Sequence, residues 1–133
     1  MFQITEFLAT CDIAELPPEG WVTVDVRDLK DYEKDTEKIK QKIMFVTGLW
    51  AMGAKVCIRC VCGMNRSNTI AIATLCYVDS RSEDIDEDWE IHRKYVKRKV
   101  PRLLTELDIE KTAKKALTQL YSKWGRNDAV TSS

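Results

Sequence analysis

Val56-Cys57-Ile58-Arg59-Cys60-Val61-Cys62-Gly63-Met64-Asn65-Arg66-Ser67 sits near the middle of this 133-residue chain, and an apolar run from Ile70 to Val78 follows it. The residues around Val56 and Ile58 are β-branched and read as a short strand over 55–59. Residues 68–79 are apolar nearly all round, the pattern of a short buried helix. A loop between a strand's carboxyl end and a helix N-terminus turns successive backbone N–H groups into one hollow, and the helix dipole adds positive potential there. Such a hollow holds a phosphate dianion, with Val61, Cys62, Gly63, Met64 and Asn65 supplying the cradle. The same field favours the thiolate of a cysteine at the loop's start, which makes Cys60 the candidate nucleophile. Arg66 offers a planar fork to two phosphate oxygens, and Gly63 allows close backbone approach. Ser67 can donate a hydrogen bond to the sulfur.

Outward from this loop, alternating Val22, Val24 and Val26 predict a strand over 21–26, after a turn at Pro17-Pro18-Glu19-Gly20. Ile39, Ile43, Val46 and Trp50 recur at helical spacing within 32–50, and Gly53 closes that helix. Strand, helix and strand in this order form a βαβ unit with a parallel sheet and a right-handed crossover. Residues 2–16 read as a short strand or helix. Two further amphipathic helices are expected over 89–100 and 109–124, separated near Pro101, with a flexible polar tail over 125–133. The expected fold is α/β: one domain over 1–124, a small central parallel sheet flanked by helices, and the Cys-x5-Arg loop between a strand and the central helix.

Composition fits an ordinary globular domain, 44% hydrophobic and 32% charged, with 21 basic residues against 21 acidic ones. Net charge thus argues neither for nor against a polyanionic partner. No secretory leader is expected at the N-terminus, and no apolar run is long enough to cross a bilayer. Five cysteines, three of them within six positions, do not form the even framework of a secreted scaffold. They indicate a reducing, cytoplasmic compartment. Cys57 and Cys60 form a C-x-x-C, but a five-residue loop separates it from the helix that a redox pair normally opens. No spaced second ligand pair accompanies Cys62, and His92 is the chain's one histidine. Neither metal nor cofactor is expected.

The 56–67 stretch resembles the signature of the protein tyrosine phosphatase superfamily, His-Cys-x-x-Gly-x-x-Arg-Ser/Thr after a hydrophobic strand. Residues 68–75 resemble the helix of dual-specificity phosphatases, with Asn68 where proline is common. The resemblance implies a phosphocysteine mechanism on phosphorylated proteins, with Cys60 as nucleophile, Arg66 as phosphate ligand and Ser67 as leaving-group helper. Three departures stand out. Arg59 replaces the histidine, Cys62 places a second thiol in the cradle, and the N-terminal sheet strands are expected to be reduced or absent.

A carboxylic acid eases expulsion of the ester oxygen. In the relatives it lies on a loop about thirty residues before the cysteine, where this chain has Asp25, Asp28 and Asp31. Asp25 falls within the strand, so Asp28 is the first choice and Asp31 the second. Gly63-Met64-Asn65-Arg66 is also similar to loops of RNA 5′-triphosphatases. The basic run Arg93, Lys94, Lys97, Arg98, Lys99 and Arg102 reads by default as a solvated helix face, and could otherwise hold RNA. Val24-Asp25-Val26-Arg27 resembles rhodanese-like sulfurtransferases, whose loop is one residue shorter. A non-catalytic phosphate-binding module is the reading from outside enzymology. Cys57, Cys62 and Cys76 are candidate resolving thiols for an oxidised Cys60.

Overall fold

Alternation along the strands and burial along one helix explain the architecture seen in a computed structural model. It describes residues 1–12, 14–61, 65–101, 103 and 107–123. Cys62, Gly63, Met64, Arg102 and the expected tail lie outside that set. The elements run β1 (Phe2–Gln3), β2 (Leu8–Asp12), β3 (Trp21–Asp25), α1 (Thr36–Ala51), β4 (Lys55–Cys60), α2 (Arg66–Val78), α3 (Ile85–Lys99) and α4 (Leu107–Lys123). The sheet order is β1-β2-β4-β3. β2, β4 and β3 are mutually parallel, with Asp12 opposite Cys60 and Asp25 opposite Arg59. All three strand ends therefore meet at the edge where the loop after β4 begins.

The expected parallel sheet is present, with one addition. β1 folds back antiparallel onto β2. Residues 2–16 resolve into these two strands, so the N-terminal part of the sheet is reduced to short strands rather than absent. The helices also depart from the expected flanking arrangement. All four share one core with Leu8, Val24, Val56, Ile58 and Cys60. The alternate row, Ala9, Cys11 and Cys57, forms a separate cluster under Met1 and Trp21. The reason is connectivity: the chain passes from β2 to β3 without a helix, so no crossover helix covers the second face.

α2 is the axis of the domain. Every residue from Ser67 to Cys76 is buried, and α1, α3 and α4 all pack against it. Ile70 and Ile72, with at most 1% exposure, each contribute about 1.5–3 kcal/mol by leaving water. α3 starts four residues earlier than its periodicity suggests. Asp84 caps it, accepting from the N–H groups of Asp86 and Glu87, and an acidic first turn suits that end of the dipole. Gly53 adopts φ +84 just after α1, the left-handed conformation that a glycine accepts without penalty.

Candidate active site

Cys60 ends β4 on the helix-covered side of the sheet and is 1% exposed. Its Sγ lies 3.4 Å from Ser67 Oγ, which is itself buried in the first turn of α2. The hydroxyl is thus positioned to donate to the sulfur. Val61 is exposed immediately beyond.

The N-terminus of α2 differs from those of α1 and α3. Asp35 caps α1 and Asp84 caps α3, whereas Asn65 makes no side-chain capping bond and the first turn of α2 carries no acid. A side-chain cap would compete with an anion for the same N–H groups. The end that carries the candidate phosphate loop is left without that competitor. Asn65 Oδ1 is buried, with no hydrogen-bond partner among the described residues.

Arg66 reaches across to the segment after β3. Its Nη1 donates to the carbonyls of Arg27, at 3.3 Å, and Leu29, at 2.9 Å. Its Nε lies 3.7 Å from Asp31 Oδ1. That segment is held firmly from its other side. Leu29 is buried at 1% exposure. The Glu33 carboxylate accepts from the N–H groups of Lys30 and Asp35, and the Thr112 hydroxyl donates to the Glu33 carbonyl at 2.5 Å. α4 thus anchors the stretch that carries the candidate acids.

The three aspartates are sorted by their partners. Asp25 pairs with Arg27 at 2.7 Å and with Arg59 at 3.6 Å. Its carboxyl is held below the usual range: desolvation works the other way, and the Arg27 N–H and guanidinium together with Arg59 overcome it. Asp28 pairs with Lys42 of α1 at 3.0 Å. Asp31 is the aspartate that Arg66 meets. Sequence distance from Cys60 could not separate these residues. Their order on a turn did so, because the Val26–Leu29 turn reverses the direction of the chain (Leu29 N to Val26 O, 3.1 Å).

The other described cysteines are not grouped with Cys60. Cys57 is three positions earlier on the same strand, so it points to the opposite face. There its Sγ lies 3.1 Å from that of Cys11. Burial raises both thiols. Cys76 sits near the far end of α2, where its Sγ is 3.5 Å from His92 Nδ1. Neither Cys57 nor Cys76 is placed to resolve an oxidised Cys60, and Cys62 is outside the described residues.

Sequence reading also missed the buried bond from Thr10 Oγ1 to Asn68 Oδ1, 3.0 Å, which ties β2 to the first turn of α2. Its signal was a polar residue at the head of a helix that is apolar from Ile70 onward. The basic run is partly committed. Lys97 Nζ donates to the carbonyls of Pro101 and Leu103, and Arg93 lies near Glu90 and Glu110.

Among the described residues no helix is long and apolar enough to cross a membrane. No protein-family model matches the chain, and no curated protein matches it. Among solved structures, Tk-PTP, a protein tyrosine phosphatase crystallised in its active form, is similar at a TM-score of 0.65 and 19% identity, over 88% of this chain and 95% of that one. At that identity the likeness is one of architecture, and it establishes that this chain has a protein tyrosine phosphatase-like fold.

Proposed function

We propose that the protein is a cysteine-dependent phosphatase that hydrolyses phosphate monoesters, phosphotyrosine first, on protein or peptide substrates. The observation that carries this reading is the Cys60 sulfur beside the Ser67 hydroxyl, at the uncapped N-terminus of a buried helix in a tyrosine phosphatase-like fold. In the proposed reaction the Cys60 thiolate attacks phosphorus in line, forming an S–P bond as the ester P–O bond breaks. Backbone N–H groups from Val61 to Asn65 and the Arg66 fork hold the equatorial oxygens, whose charge is stabilised by preorganised donors. A carboxylic acid from the 28–31 stretch gives its proton to the departing oxygen. Water then attacks the phosphocysteine, the S–P bond breaks, and the Ser67 hydroxyl stabilises the returning thiolate. The nucleophile needs a reducing, cytoplasmic setting to stay active.

For the acid we take Asp31 ahead of Asp28, reversing the order that sequence suggests. Asp31 adjoins the arginine that would hold the phosphate, whereas Asp28 is engaged with Lys42. Arg66 joins the two halves of the proposed site through the Arg27 and Leu29 carbonyls.

Rapid acid quench of the protein with a phosphotyrosyl peptide, followed by peptide mapping, tests this reading. Phosphate covalently bound to Cys60 is the expected result. Phosphate on no cysteine, together with sulfur transfer from thiosulfate to cyanide, would replace it with the sulfurtransferase reading.

A further inference from the structure

At the opposite end of α2 lies a second cluster that the proposed chemistry does not use. Cys76 on α2 and Asp88 and His92 on α3 are all buried, and one ligand atom from each lies within 4.8 Å of the other two. Asp88 and His92 are one helical turn apart and share a face of α3. Sequence gave no direct hint of Cys76, because it comes from another helix.

We propose that Cys76, Asp88 and His92 form a binding site for a divalent transition-metal ion of the zinc type. Three observations converge on this site. The first is the donor set, a thiolate, an imidazole and a carboxylate, which suits Zn²⁺ with an open fourth position. The second is spacing. Bonds of about 2.3 Å to sulfur and about 2.0–2.1 Å to nitrogen and oxygen set tetrahedral neighbours roughly 3.3–3.6 Å apart. His92 Nδ1 lies 3.5 Å from Cys76 Sγ and 3.3 Å from Asp88 Oδ1. The third is unmet polarity. Asp88 Oδ2 and His92 Nε2 are buried without hydrogen-bond partners, on residues 0% and 4% exposed. Both residues thus carry incompletely satisfied polar groups in the interior, which an ion held by Oδ1 and Nδ1 would meet only through the carboxylate's second oxygen and the outer contact of Nε2.

The surroundings supply the outer contacts such a site requires. Asp88 Oδ1 accepts from the Arg81 N–H at 2.7 Å, which orients the carboxylate. His92 Nδ1 lies 2.8 Å from the Asp88 carbonyl, an oxygen already within the α3 ladder. On binding metal, Nδ1 gives up its proton and this contact, and the ring carries its hydrogen on Nε2. Asp79 Oδ2, 3.9 Å from Nε2, is then the carboxylate that receives it after a small side-chain rotation. A cavity of about 350 Å³ lined by Asp79, Arg81, His92 and Tyr95 opens on the His92 side of the cluster.

The test is titration of the full chain, stripped with a chelator, by Co²⁺ and then Zn²⁺. One Co²⁺ per chain should bind with a near-ultraviolet thiolate charge-transfer band and the visible bands of a four-coordinate ion. Zn²⁺ should displace it and raise Tm by roughly 5 °C or more at a hundredfold excess over Kd. Cys60→Ser should retain the band, which separates this site from the phosphate loop. Cys76→Ala and His92→Gln should each lose it while circular dichroism shows a folded protein. Should Cys76→Ala fail to fold, alkylation decides: Zn²⁺ must shield Cys76 of the wild-type chain during partial denaturation. A folded wild type that binds neither ion, a band that survives in folded Cys76→Ala, or Cys76 labelling unaffected by Zn²⁺ would each overturn the proposal.

Discussion

α2 carries a buried cysteine environment at each end, and the two ends place opposite demands on sulfur. At the amino end Cys60 lies beside the Ser67 hydroxyl, at a helix N-terminus with no side-chain cap and no acid in its first turn. At the carboxyl end Cys76 faces a carboxylate and a histidine, near the negative pole of the helix. One end favours anions and the other favours cations, as the macrodipole dictates. Burial is nearly identical, 1% for Cys60 and 0% for Cys76. Burial alone therefore says little about what a thiol can do, and the charges aimed at it decide. The same residue type reads as nucleophile at one end and as metal ligand at the other.

The sharpest way to break the amino-end reading is through the acid. We predict that Asp31→Asn slows hydrolysis of a phosphotyrosyl peptide about 10²–10⁴-fold, the usual contribution of a positioned acid. The same change should matter far less for an activated aryl phosphate, whose oxygen leaves without help. Asp28→Asn, which releases Lys42 rather than Arg66, should have a small effect on both. Steady-state rates of the two variants on the two substrates check this, and the reverse ranking would restore Asp28 as the acid.

Arg66→Lys comes next. A point charge cannot reproduce the planar fork that would grip two phosphate oxygens while Nη1 also holds the Arg27 and Leu29 carbonyls. We expect a loss of about 10²–10³-fold in kcat, the size seen on removing a transition-state donor. Wild-type kcat with a raised KM would instead make Arg66 a binding residue only.

Ser67→Ala should cost less, about 10–100-fold, since it removes one hydrogen bond to a charged sulfur. Its signature is accumulation of phosphocysteine, because the second step is the one that needs the thiolate to leave. Rapid-quench kinetics would detect it, and a slowed first step with no accumulation would contradict the assigned role.

The smallest expected effect is the most direct comparison of the two ends. Iodoacetate at neutral pH should alkylate Cys60 and leave Cys76 and Cys57 unmodified until the chain unfolds. Burial raises both of those thiols, so they are protonated at neutral pH and gain thiolate only well into the alkaline range. Peptide mapping after brief exposure reads this directly. Faster labelling of Cys76 than Cys60 would invert the electrostatic contrast drawn here.

How much of this was legible in sequence depended on whether the signal was local. β3, α1, β4 and α2 follow from alternation and periodicity within single segments, and their bounds moved by only a few residues. The motif after β4 could be read because its residues are consecutive, and Cys62, Gly63 and Met64 of its loop lie outside the described residues. β2 was ambiguous, since Leu8 to Asp12 gains its identity only by pairing with β4. The choice between Asp28 and Asp31 was hidden because it depends on a turn and on Lys42, which lies on a different element. The Cys76 cluster was hidden more deeply. Its residues become neighbours only when α2 and α3 pack, and composition treats a lone histidine as unremarkable.

The measurement that tests the central claim most directly is hydrolysis of a phosphotyrosyl peptide by the wild-type chain beside Cys60→Ser, with folding of both checked by circular dichroism. The account predicts steady turnover by the wild type. It predicts none above background from Cys60→Ser, which should still bind vanadate because the substitution spares Arg66 and the proposed cradle. Undiminished turnover in folded Cys60→Ser would contradict it.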